Sequence, residues 1–266
     1  MRQRLFRTET QRSSAAIWSS RLSLMAVALI AVAAGLHRLF DLQTSVFLNV
    51  LLVAFALGAL AILLAIVGFA SIWRTGTRGT GAAAAGTLIG LVILTWPASY
   101  APQVITQAPL NDVTTDFEAP PEFNEIAKLR PVGANATRYS GRAASRVQEA
   151  LFPDLRPLIV DRPADETFEL VVQAIRRTGH EIIAETEPEG PRAGRIEATA
   201  RTLILGFRDD VVVRVIGRAR RSRVDIRSAS RWGRYDFGAN ARRVRTIIRA
   251  IRQRLNATVP RGANGG

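Results

Sequence analysis

Cysteine is absent from this 266-residue chain, lysine occurs once, as Lys128, and histidine twice. Without thiols there is no disulfide framework, no thiolate zinc or iron–sulfur site and no cysteine nucleophile. His180 has no second histidine in the part of the chain after Tyr100, so no His-rich metal site is suggested there. No Gly-x-Ser-x-Gly elbow precedes a helix, so a serine triad has no local support either. These absences leave no expected catalytic residue, cofactor or metal. Charge is also scarce in the first third, where 8 basic and 2 acidic residues precede Tyr100, against 28 and 20 from Tyr100 onward.

What fills the first third is apolar sequence. A helix needs roughly 20 residues to cross a hydrocarbon core, and three runs satisfy that length, at about 17–36, 46–73 and 82–100. Residues 1–100 are therefore expected to form a membrane region with three transmembrane helices. Ala31-Val32-Ala33 has the small-x-small pattern of a signal-peptidase site, which leaves cleavage of the first segment open. Arg2, Arg4, Arg7, Arg12 and Arg21 precede or open the first run, and Arg74 and Arg78 lie between the second and third. Short loops rich in arginine stay in the cytoplasm. The expected topology is a multi-pass protein of the bacterial inner membrane with a cytoplasmic N-terminus and everything after Tyr100 extracytoplasmic. Ala82, Gly86 and Gly90 share one helix face, as do Ala54 and Gly58, a spacing that permits close packing within the chain or with a second copy.

Residues 101–131 contain Pro102, Pro109, Pro120, Pro121 and Pro131 without an apolar period, and read as an extended linker. Residues 132–266 read as one soluble domain. Leu158-Ile159-Val160 is a short strand. Phe168, Val171, Val172 and Ile175 keep helical spacing up to Gly179. Four extended segments follow, at 180–187, 195–205, 209–216 and 223–230, of which Val211-Val212-Val213 and Val215-Ile216 carry the densest β-branching. A final helix spans about 238–256. The order β-α-β-β-β-β-α predicts an α+β fold: a curved antiparallel sheet with its helices packed on one face and the other face solvated.

The string Phe207-Arg208-Asp209-Asp210-Val211-Val212-Val213-Arg214-Val215, then Val224–Arg231, then Gly233, Asp236, Gly238, Asn240 and Arg243, resembles the bacterial domain of unknown function 1499 family. The resemblance covers about 120–255. It implies a membrane-anchored or exported single domain and carries over no activity. Within the string, Arg227, Ser228, Ser230, Arg231, Asp236, Asn240 and Arg243 are expected around one strand-to-helix corner. A helix N-terminus there suits an anion, and internal hydrogen bonds would equally account for it.

Charge is the remaining lever. Residues 201–266 hold 17 basic and 4 acidic side chains, whereas residues 100–200 hold 11 and 16. Arg242, Arg245, Arg249 and Arg252 recur at spacings that place them in one stripe of the last helix. The expected function is a binding or assembly module of the cell envelope, its basic surface meeting anionic lipid headgroups, an anionic glycan or an acidic envelope protein. Nucleic acid is not an expected partner outside the cytoplasm. The alternative is an envelope enzyme, hydrolase-like, without a recognisable motif.

Overall fold

A computed structural model describes residues 11–190, 192–217 and 220–258. Arg2, Arg4 and Arg7, and parts of the turns at 188–191 and 217–222, lie outside the described residues. The chain divides into two units, Met1–Ile105 and Thr106–Gly266.

The first unit holds α1 (Ser14–Leu39), α2 (Thr44–Thr75), α3 (Thr80–Ala98) and α4 (Ala101–Thr106). Three helical stretches, Ser14–Leu39, Thr44–Thr75 and Thr80–Thr106, are long and apolar enough to cross a membrane, so this is a membrane-anchored protein. Their small residues face inward. A side chain at Gly90 would meet the Gly58 carbonyl oxygen at 2.9 Å, and one at Gly86 would collide with Ser19. The stripe is thus spent on packing within the unit. Ser19 Oγ donates to the Ala61 carbonyl at 2.7 Å, a hydrogen bond between two helices with no water to compete for it.

In the second unit, β1 (Asp112–Thr114), β2 (Leu158–Val160), β3 (Glu181–Thr186), β4 (Gly194–Arg201), β5 (Arg208–Gly217) and β6 (Ser222–Ser230) form one antiparallel sheet, open and curved. The strand order is β1-β6-β5-β4-β3, and β2 pairs β6 beside β1. Helices α7 (Ala164–Arg177) and α8 (Ala239–Asn256) cover one face. The reason is the period-2 alternation. Ile196 and Ala198 on β4, Val211, Val213 and Val215 on β5, and Val224 and Ile226 on β6 all join one core with Val171, Ile175, Val244, Ile247 and Ile251. Two further helices, α5 (Glu125–Leu129) and α6 (Arg142–Leu151), lie in the stretch before β2.

Two expectations are corrected here. The stretch 101–131 is not a plain connector, because β1 pairs Asp112 with Ala229 and Thr114 with Arg227. On β1, Thr114 exchanges both backbone hydrogen bonds with the Gln148 side-chain amide of α6, at 2.9 and 2.7 Å. A buried glutamine thus stands in for a neighbouring strand. The second sheet face is not solvated: Glu197, Asp210, Asp225 and Arg227 on it are all buried, as is Val212 with Phe123, Ile126 and Ala229. Polar side chains on alternate positions read as a wet face. Here they are neutralised by one another and by residues 112–137, which no periodicity announces.

Candidate functional site

The strand-to-helix corner is built from the end of β6 and the first turn of α8. Phe237 and Gly238 both take positive φ, 50° and 76°, reversing the chain so that α8 starts against the sheet. Asp236 then accepts from the backbone amides of Gly238 at 2.9 Å and Asn240 at 2.8 Å, filling the place a ligand anion would take. Asn240, fully buried, accepts from the Ser228 hydroxyl and donates to Ser230 Oγ and the Asn111 carbonyl. Arg243 donates to Ser228, to Asn240 and to Asp209. Burial pushes the Asp209 carboxyl above its ordinary range, opposed by the Arg243 guanidinium.

Five expected residues therefore meet: Ser228, Ser230, Asp236, Asn240 and Arg243. Arg227 and Arg231 do not join them, since alternation along β6 sends them to the opposite face. There Arg231 pairs with Asp210, whose other oxygen takes Arg130 at 2.7 Å. Arg227 pairs with Asp112 at 2.7 Å and donates to the Pro121 and Thr137 carbonyls. Arg214 and Arg223 share Asp116 and Asp225. On β4, Glu197 accepts from the amides of Asn124, Glu125 and Ile126, capping α5 from across the sheet. Sequence reasoning missed these carboxylate partners; the only signal was the alternation of Arg223, Asp225 and Arg227.

Of the α8 stripe, Arg245 is tied bidentately to Asp154 at 2.7 and 2.6 Å, which holds the Asp154 carboxyl below the usual range. Arg242, Arg249 and Arg252 are exposed. Among the described residues none of the three has an ion pair: Arg242 donates to the Phe237 carbonyl and Arg249 to Thr246.

A cleft of about 1180 Å³, not foreseen, opens between residues 117–123 and α6. Its lining combines Phe117, Phe123 and Tyr139 with Arg138, Arg142 and Arg146, Glu118 and Glu122, and the buried Arg227. Burial raises the Tyr139 hydroxyl, which lies 3.2 Å from Ser145 Oγ. His180 is not in it. Its Nδ1 contacts the Thr178 hydroxyl in the turn after α7, and burial, with the Arg243 charge, lowers it to about 4.

The unfolded chain takes up that proton near pH 6.5 and the folded one only near 4, so domain stability is full above about pH 6.5 and falls between the two. The slope is at most about 1.4 kcal/mol per pH unit, less because the ring is partly exposed. Denaturant midpoints across pH 4–7 check this, and His180→Gln is expected to flatten that share of the profile.

The family described as Protein of unknown function (DUF1499) matches residues 112–251, which takes in β1, the corner and most of α8. The chain belongs to this family. Its DUF1499 domain begins at β1, within the stretch read from sequence as a linker. The family's description names no activity. No curated protein matches the chain. Among solved structures, that of TTHA0849 from Thermus thermophilus is similar at 12% identity, covering 38% of this chain and 94% of that one, with a TM-score of 0.22.

Proposed function

We propose that this protein is a binding module of the bacterial inner membrane, its DUF1499 domain extracytoplasmic and presenting the arginine face of α8 to an extended anionic partner, a glycan or an acidic envelope protein. One observation carries the reading: the buried arginines on and beside the sheet are matched by carboxylates, whereas among the described residues Arg242, Arg249 and Arg252 have none. Ten residues of helix set those charges along about 15 Å, a length that suits a repeating partner better than a single small anion. The arginine-rich N-terminal and second loops support the orientation.

The corner supports a structural role, because Ser228, Asp236, Asn240 and Arg243 are hydrogen-bonded to one another or to groups beside them. The enzyme alternative draws on the cleft, whose volume fits a small molecule. Its chemistry is that of a binding site, with cations beside aromatic rings, while the Ser145 hydroxyl is committed to the Gly141 carbonyl and Tyr139.

The test uses full-length protein in nanodiscs and an acidic glycan or envelope extract over a salt series. An exposed ion pair is worth up to roughly 1 kcal/mol, so Arg242→Gln with Arg249→Gln and Arg252→Gln is expected to weaken binding by about tenfold or more and to flatten its salt dependence. Folding stability should stay within a few tenths of a kcal/mol of the parent, since like-charge repulsion is relieved. Unchanged binding in the triple variant contradicts the reading.

A further inference from the structure

The β4–β5 turn, residues 202–207, puts two large aliphatic side chains into solvent: Leu203 is 87% and Ile204 81% exposed. They are not alone. Because β4 ends and β5 begins at the same end of the sheet where β6 runs into the corner, the turn shares that end with Trp232 and Phe237 and with the loop at Val132, whose side chain is fully exposed. Gly133 lies against the Trp232 ring, and Asn135 hydrogen-bonds the Arg231 carbonyl, fixing that loop to the same end. Scattered exposed aliphatics need no explanation, but a set of them projecting from loops at one end of a domain does.

Basic residues lie beside these tips. Arg234 in the corner and Arg242 in the first turn of α8 are both exposed at this end. Apolar tips ringed by cations are the composition of surfaces that sit in the headgroup layer, with the aliphatic groups below it and the cations on phosphate. At the opposite end the β3–β4 turn carries Glu187, Glu189 and Arg192 and the β5–β6 turn Arg220 and Arg221, so cations lie at both ends and it is the exposed aliphatic tips that set this one apart.

Chain connectivity selects the occupant. Leu110 and Asn111, where the domain begins, are hydrogen-bonded at this same end: Asp236 N donates to the Leu110 carbonyl, Ser230 N to the Asn111 carbonyl, and Asn111 Nδ2 to the Gly233 carbonyl. The last apolar helical stretch ends at Thr106. Five residues on, at Asn111, the chain can be no more than about 18 Å away even when fully extended. The chain thus enters the domain at the end that carries the apolar tips.

We propose that this sheet end docks on the lipid surface, with Leu203 and Ile204 entering the headgroup layer of the bilayer that the N-terminal helices occupy. The docking would give the domain a fixed orientation on its membrane. The docking rests on Leu203 and Ile204 and not on Arg249 or Arg252, so loss of tip shielding and loss of anion binding by the α8 variant are separate results.

The absence of cysteine makes the test direct. Full-length protein bearing Leu203→Cys or Ile204→Cys, labelled with an environment-sensitive fluorophore, is reconstituted into phosphatidylcholine–phosphatidylglycerol vesicles and compared with a label at Glu189→Cys. The expected result is a blue-shifted emission at 203 and 204, quenched several-fold more by nitroxide on the acyl chains than the label at 189, and shielded from aqueous iodide. Both positions being exposed, neither substitution removes core, and unchanged circular dichroism checks that the fold is kept. Labels at 203 and 204 that iodide quenches as readily as the one at 189 would overturn the proposal. So would shielding that rises with the protein-to-lipid ratio, which would assign the tips to a second copy of the chain instead.

Discussion

Replacing Asp112 by Asn is expected to cost the domain about 3–5 kcal/mol, the usual result of stranding one partner of a buried ion pair. Arg227 is 1% exposed, sandwiched between the Phe123 and Tyr139 rings, and its carboxylate partner is 2.7 Å away. Burial raises the Asp112 carboxyl despite Arg227, so desolvation outweighs the attraction at that site. Arg227→Met should therefore cost less than Asp112→Asn, because a lone carboxyl can take a proton whereas a lone guanidinium cannot lose one. Asp112→Asn combined with Arg227→Met should cost clearly less than the sum of the two singles, leaving a non-additive cycle. Denaturant midpoints of the four proteins decide it. Single variants within about 1 kcal/mol of the parent would mean that the pair is solvated and the second face open after all.

The second large effect concerns the membrane unit. A Cβ on Gly86 would collide with Ser19 Oγ and lie 2.8 Å from the Ser19 carbonyl carbon. The serine cannot swing aside freely, since its hydroxyl is bonded to Ala61. At Gly90 the Cβ would meet Ile62 at 2.7 Å and the Gly58 carbonyl oxygen at 2.9 Å. Gly86→Leu and Gly90→Leu are each expected to destabilise the helix bundle by about 1–3 kcal/mol or more through overpacking. Gly35→Ala and Gly81→Ala, with nothing within 4 Å of the added carbon, should be neutral. Unfolding in mixed micelles reads the difference. A change in dimer content with bundle stability intact would instead assign the stripe to self-association.

Most of the architecture was legible because two periods are strong. The apolar runs, the 3.6-residue repeats of α7 and α8 and the β-branched β5 each name their element, and the helix-facing side of the sheet falls out of alternation. Three things were not legible, for one physical reason. Strand β1, the covering of the second face and the cleft all depend on pairings across many residues, such as Asp112 with Arg227 or Arg130 with Asp210. A charge that is buried and paired looks, in sequence, like a charge that is solvated. The same ambiguity shaped the candidate site. The helix start at Gly238 brings Ser228, Asn240 and Arg243 together on sequence grounds, but the occupation of their donors by Asp236 and Asp209 depends on the folded chain. The exposed Leu203 and Ile204 were absorbed into a strand, as apolar alternation alone cannot say where a strand ends.

Delivery of the anchored domain to the outer side of the inner membrane by three crossings is the central claim, and one measurement addresses it directly. Protease added to intact spheroplasts carrying the full-length protein, with an epitope placed after Thr258, should remove the epitope while a cytoplasmic marker survives. Loss of the epitope only after the membrane is lysed would put the domain in the cytoplasm and contradict the claim.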